Sequence, residues 1–303
     1  MSRIPQLVIY GLISGSIITL GAVGLSLTYG ILNFANFAHG DIMTLGAFLA
    51  LICLTLMQAL RIPATTFGAL SFGLPMVLAL MMAMVLTGGV AILIDRILYR
   101  RLRKSGRIVL LIASVGVAFG LRNVIQFIWG PLPQYYSAEI QLARKIPLLG
   151  IRIKPDQIFI IGLAAFLVGM LHLFLQKTKT GKAMRAASDN IELARVSGIN
   201  IDRVILYTWI IGAALAAAAG ILGGLENKFI TPNSGWEMLL PIFAAVILGG
   251  IGSPYGAIAG GMIIGLSEEI STAFISTAYK PAVPFVIMVA VLLIKPRGLF
   301  GGK

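Results

Sequence analysis

The sequence predicts an all-α polytopic membrane protein with about eight or nine transmembrane helices. Three observations carry this. Of 303 residues, 58% are hydrophobic and only 12% are charged, about half the charge of an ordinary soluble domain. The apolar residues fall in long runs of the length a helix needs to cross ~30 Å of hydrocarbon. The 24 Lys and Arg, against 11 Asp and Glu, gather between those runs. Such a chain is neither a soluble two-domain enzyme nor a disordered one, and it lacks the polar surface for binding nucleic acid. The single cysteine, Cys53, excludes a disulfide framework and a thiolate zinc site.

The elements follow from the apolar runs. Ile4 to Ala38 holds no charge, enough for one retained span and an extra piece. Ile42 to Leu60 is a second run. Ile62 to Ile94 holds a short segment before Pro75 and a span after it. Further runs cover 108–128, 157–175, 204–225, 238–250, 254–272 and 281–294. Prolines 63, 75, 241 and 284 interrupt them, which membrane helices tolerate when neighbours satisfy the freed backbone groups. The whole chain, 1–303, is expected to form one membrane domain.

Orientation follows from the loops, because cytoplasmic loops are enriched in Lys and Arg. The segment 95–107 carries Arg96, Arg100, Arg101, Arg103, Lys104 and Arg107 against Asp95. The segment 176–203 carries six cations and three acids, and the tail carries Lys295, Arg297 and Lys303. These three are expected in the cytoplasm, and the even numbers of runs between them agree. They hold 15 of the cations and 4 of the acids, so most of the net charge of +13 would lie on one side. The stretch 129–156 is also basic, yet parity puts it outside, with 226–237 and 267–280.

Small residues recur four apart at Gly212, Ala216, Gly220 and Gly224, and again at Gly252, Gly256 and Gly260. Such spacing lets helices approach closely in lipid. It suits packing within the bundle, and equally a dimer seam or sliding surface.

The segment Lys177–Arg203 is longer than a linker needs to be and is punctuated like helices. Asp189 with Glu192 has capping-box spacing, and Gly198 supplies a stop. A helix of about two turns from Ile191 to Ser197 would place Ile191, Ala194 and Gly198 on one face. A turn around Ala183, Ala186 and Ala187 adds a second small-residue surface. Short exposed helices are marginal alone, so a partner is expected to hold this one; a solvated connector is the alternative.

The run Gly181-Lys-Ala-Met-Arg-Ala-Ala-Ser-Asp189, followed by Ala194-Arg-Val-Ser-Gly-Ile199, resembles the coupling loop of ABC importer permeases. The closest likeness is to the high-affinity branched-chain amino acid permeases of the LivH type. Asn33-Phe-Ala-Asn-Phe-Ala-His-Gly-Asp41 resembles that family's motif after the first span. Ala244–Ser253, Gly256–Gly261 and Lys295–Gly301 resemble its C-terminal third. Where older importer permeases have Glu-Ala-Ala, this chain has Arg185-Ala186-Ala187, as the subfamily does.

The resemblance implies an ABC importer permease bundle in the bacterial inner membrane. It further implies two cytoplasmic ATP-binding subunits, a second related permease and a periplasmic binding protein. It assigns the ATPase-coupling loop to Gly181, Arg185, Ala186, Ala187, Asp189, Glu192, Ala194, Gly198 and Ile199. No phosphate-cradling Gly-x-x-x-x-Gly-Lys-[Ser/Thr] is present, since Gly181-Lys182 is followed by Ala183. No cofactor is therefore expected in this chain, and ATP-Mg is expected on the partners. Urea, short amides or other amino acids remain alternative cargoes, and an ion-coupled secondary transporter is a third reading.

Polar groups inside a membrane are costly and often functional. Asn33, Asn36 and His39 mark the break between the first two runs and are candidates for the translocation pathway; a loop or helix cap is the other reading. Asp41 reads as the N-cap of the span starting at Ile42. His39 and His172 are too isolated for a metal site. Arg122, with Asn123 and Gln126, suits snorkelling or packing. Glu226, Glu237, Glu268 and Glu269 read as solvated helix ends. No catalytic constellation is present.

Overall fold

The computed structural model describes residues 3–61, 66, 68, 70–136, 143–146 and 151–300. Pro63, Gly301 and Lys303 lie outside them. Helix α1 (Arg3–Leu32) is followed by α2 (His39–Ala59) and α3 (Leu74–Ile94). The basic segment after α3 is not a loop. It continues as a π-helical turn (Asp95–Tyr99), the short α4 (Arg100–Leu102) and a 3-10 turn ending at Ser105. Gly106, at φ +103°, breaks the chain before α5 (Arg107–Trp129).

Two short strands, β1 (Arg144–Ile146) and β2 (Ile151–Ile153), pair antiparallel with Arg144 opposite Ile153. Then come α6 (Pro155–Lys177), α7 (Lys179–Asp189), α8 (Ile191–Val196), α9 (Ile201–Asn227), α10 (Ser234–Gly249), α11 (Pro254–Ser271) and α12 (Ala282–Ile294). Among the described residues, six helical stretches are long and apolar enough to cross a membrane: Ile4–Leu32, His39–Ala59, Leu74–Ser105, Arg107–Trp129, Pro155–Lys177 and Ile201–Asn227. The shorter apolar α10 and α12 add to these, and the architecture is that of an all-α polytopic membrane protein.

α9 is the centre of the packing. It lies against α1, α2 and α3, and Ala216, Ala217, Ala218, Ala219, Ile221 and Leu222 are fully buried. The small-residue stripe lets those neighbours in. A side chain on Gly220 would overlap the Met43 carbonyl of α2, and one on Gly212 would come within 3.1 Å of the Gly24 carbonyl of α1. The second stripe does the same between α11 and α10, where Gly256 meets Gly249 and Gly260 meets Ala245, while Gly265 beside it meets Gly15 of α1. Both stripes are occupied inside the bundle, which is the packing reading of their spacing.

The bundle has two ends. At one, Asn33, Arg100, Arg103, Lys104 and Arg107 share a cavity with Arg195 and Ile199. Gly30 there touches Gly252 and Ser188, and the tail hydrogen-bonds back through Leu299 N–H to the Leu248 carbonyl (2.8 Å). At the other, Gln6 bonds the backbone of Arg152. Asp156 accepts from Ser71 N–H (2.9 Å) and Lys228 Nζ (2.7 Å), and Gln157 donates to Glu226 (3.0 Å). The described parts of the basic 129–156 stretch thus lie opposite the other basic segments. Tyr136 there donates to the Ala47 carbonyl at 2.8 Å, and burial pushes its phenol up, so it remains a donor.

Candidate functional site

The 177–203 segment folds as two helices set at an angle on the end of the bundle. Thr178 caps α7, its Oγ1 accepting from Gly181 N–H at 2.9 Å. α7 turns its Gly181, Met184 and Ala187 inward. Gly181 packs against the last turn of α6, where any Cβ would overlap the Phe174 carbonyl and Leu175. Lys182, Arg185 and Asp189 face outward, and Ala186 is half-buried.

Asp189 does not cap α8. It is the last residue of α7, and Asn190 is the cap: its Oδ1 accepts from Glu192 N–H (3.0 Å) and Leu193 N–H (2.9 Å). Asn190 takes this role because its own backbone is extended, with φ −156° and ψ 106°, as an N-cap requires. The stop at Gly198 is as expected. Gly198 has φ +86°, Ile199 N–H bonds the Ala194 carbonyl (3.0 Å) and Gly198 N–H the Arg195 carbonyl (3.1 Å), the Schellman pattern.

The six-residue α8 turns Ala194 into the bundle, with Ile191 partly covered. Its outward side carries Glu192, Arg195 and two apolar residues, Leu193 (62% exposed) and Val196 (81%). These two lie three apart, and sequence reasoning passed over them in favour of Ile191, Ala194 and Gly198. With apolar residues on more than one side of so short a helix, only the packing decides which side is free.

The break between α1 and α2 does not bring its three polar residues together. Asn33 ends α1 in the left-handed region at φ +55°, which asparagine tolerates, and is exposed at the basic end. Asn36 is fully buried. Its Oδ1 accepts from Ala38 N–H (3.2 Å) and Tyr99 Oη–H (3.3 Å), and its Nδ2 is without a partner. His39 Nε2 meets the Gly21 carbonyl of α1 at 2.9 Å. The irregular stretch is also tied to α5, since Phe37 N–H donates to Ser114 Oγ at 3.1 Å.

Two readings of charged residues are corrected. Asp41 is not an N-cap: α2 starts at His39, and Asp41 is a fully buried partner of Arg122 on α5. Glu268 is not a solvated end but 7% exposed; its neighbour Glu269 pairs with Lys280 and accepts from Ser14. A second buried cluster joins the π-turn to α9. Asp95 accepts from Trp209 Nε1–H (2.8 Å) and from Arg103, whose Nη2 is 2.6 Å from Oδ2. The Tyr99 ring stacks on Trp209 with centroids 5.2 Å apart. A carboxylate eight residues before an arginine, with a distant tryptophan, leaves no local sequence signal. Among the described residues, no three His, Cys, Asp or Glu converge as metal ligands.

Comparison with known proteins agrees with this architecture. The high-affinity branched-chain amino acid transport system permease protein LivH of Salmonella typhimurium is 33% identical over 296 residues, covering 96% of this chain and 93% of LivH. The permease protein BraD of Pseudomonas aeruginosa is 32% identical over 305 residues, 98% of this chain and 95% of BraD. The permease protein LivM of Salmonella typhimurium is 28% identical over 156 residues, half of this chain and 36% of LivM. No solved structure matches. The family described as branched-chain amino acid transport system / permease component matches residues 7–292, and the chain belongs to it.

Proposed function

We propose that this chain is the membrane-spanning subunit of an ABC importer for branched-chain amino acids in the bacterial inner membrane, with ATP hydrolysed on separate subunits. The observation that carries this is α7–α8. A helix pair is built rigidly onto the end of the bundle by Gly181, Met184, Ala187 and Ala194, yet it leaves Leu193 and Val196 bare. An apolar pair on a charged, water-facing helix suits a protein partner, because burying it recovers roughly 25 cal/mol per Å². A cytoplasmic ATP-binding subunit is that partner, and the basic end is the cytoplasmic end.

The cargo is read from the named relatives. A second permease chain completes the pathway and a periplasmic binding protein delivers the amino acid, as the pair of relatives LivH and LivM suggests. Of the three residues at the α1–α2 break, Asn36 keeps a free buried donor and is the foremost candidate for contact with cargo in transit. Gly181, Arg185, Ala186, Ala187, Asp189, Glu192, Ala194, Gly198 and Ile199 form or frame the ATPase-facing surface.

The test is uptake of labelled leucine by the assembled importer with Leu193→Asp and Val196→Asp together. Uptake and substrate-stimulated ATP hydrolysis should fall at least tenfold, with the chain still present in the membrane. Unimpaired uptake overturns the coupling role. Binding assays on the cognate binding protein separate leucine from urea, short amides and other amino acids.

A further inference from the structure

The basic end holds a cavity of about 880 Å³, and of the coupling-surface residues only Ile199 lines it. We propose that it binds the phosphate headgroup of an anionic phospholipid. Five cations line it: Arg100, Arg103, Lys104 and Arg107 from the segment after α3, and Arg195 from α8. Against them stands Asp202, 3.9 Å from Arg100 in a pair exposed on both sides, which is worth little in water. Arg103 is held by Asp95, but its Nε is buried with no partner. Four cations besides Arg103 thus face the single carboxylate of Asp202, and this excess of positive charge in one cavity calls for an anion.

The rest of the wall says which anion. It is apolar, from Ile31 and Leu32 at the end of α1, Leu110 on α5, and Ile201 and Ile205 on α9. These are the first or last turns of long apolar helices, so the cavity sits where hydrocarbon gives way to headgroups. Ile108 and Ile112 on the first turns of α5 are 76% and 63% exposed, leaving an apolar path for an acyl chain beside the cations. A free phosphate would use the cations and not the isoleucines. An acidic segment of a soluble partner has less need of that wall, and α8 already offers such a partner Leu193 and Val196. Basic pockets between membrane helices hold anionic headgroups on this principle. The lipid would bridge Arg195 on α8 to Lys104 and Arg107, steadying the angle of the helix pair.

The test uses the intact importer in nanodiscs of phosphatidylcholine doped with phosphatidylglycerol, with retained lipid counted by native mass spectrometry. Lys104→Gln with Arg107→Gln removes two exposed cations whose side chains make no hydrogen bond or ion pair among the described residues. At about fivefold per cation, phosphatidylglycerol retention should weaken about 30-fold, and phosphatidylcholine retention should not change. Arg101→Gln with Lys177→Gln removes the same charge outside the cavity and should leave retention within twofold. Equal losses in both variants would mean diffuse surface charge and overturn the site. Full displacement by added inorganic phosphate overturns the lipid assignment. Loss of ATPase-subunit association by the first variant in pure phosphatidylcholine also overturns it, making the cavity a protein contact. None of these readouts requires transport, so they stand apart from the coupling test.

Discussion

Arg122 on α5 grips Asp41 on α2 at two points, Nε to Oδ1 at 2.9 Å and Nη2 to Oδ2 at 3.1 Å. The same guanidinium lies 4.6 Å from the ring centroid of Trp236 on α10. One side chain thus joins three helices at the start of α2, where the irregular 33–38 stretch returns to helix. Asp41 is fully buried and Arg122 is 14% exposed. Removing one partner leaves the other charge without its counter-ion, at a cost of about 3–5 kcal/mol. Arg122→Gln should therefore lower the melting temperature of the purified chain sharply. Arg122→Gln combined with Asp41→Asn should recover part of the loss, since no bare charge remains. A double variant less stable than the sum of the singles would contradict this account.

Trp209 supplies a second such anchor. Its Nε1–H donates to the Asp95 carboxylate at 2.8 Å, and its ring stacks on Tyr99. Trp209→Phe keeps an aromatic surface and loses the donor. A hydrogen bond to a charged group contributes about 1.5–3 kcal/mol. The variant should lose about that much stability, read as thermal unfolding in detergent. Asp95→Asn, which takes the carboxylate charge away from both Trp209 and Arg103, should cost more.

Gly181 tests whether the helix pair must sit tightly on the bundle. Any Cβ there overlaps the last turn of α6, so Gly181→Val must push α7 away. Leucine uptake by the assembled importer should fall at least tenfold, while α9 and the core keep their hydrogen-exchange protection. Uptake at the wild-type level would show that the placement of α7 is not what coupling needs.

How much of this was legible beforehand depends on the reach of each interaction. The apolar runs and the clustering of cations are imposed by the bilayer on every segment, so the helices and the grouping of the three basic segments at one end could be read directly. The stop at Gly198 was legible because a residue at φ +86° is most often glycine. The Asp41–Arg122 pair was not: the partners are 81 residues apart, and Asp41 next to a span looks like a cap. The 95–107 segment looked like a loop because charge ends an apolar run. The backbone instead stays helical to Ser105, its Asp95 satisfied by Trp209 from α9. The outward side of α8 was hidden because the face of a two-turn helix is decided by what it packs on.

The cap of α8 gives the sharpest comparison of two neighbouring residues. Sequence spacing favours Asp189, whereas Asn190 accepts both N–H bonds. Asn190→Ala should cost about 1 kcal/mol of local stability. Asp189→Ala should cost under about 0.5 kcal/mol, as a surface change away from such features does. Hydrogen exchange of the Glu192 and Leu193 amides reads this directly, with about fivefold faster exchange in Asn190→Ala and little change in Asp189→Ala. If α8 must be preformed to meet its partner, uptake should fall in the same order. The reverse order would restore Asp189 as the cap.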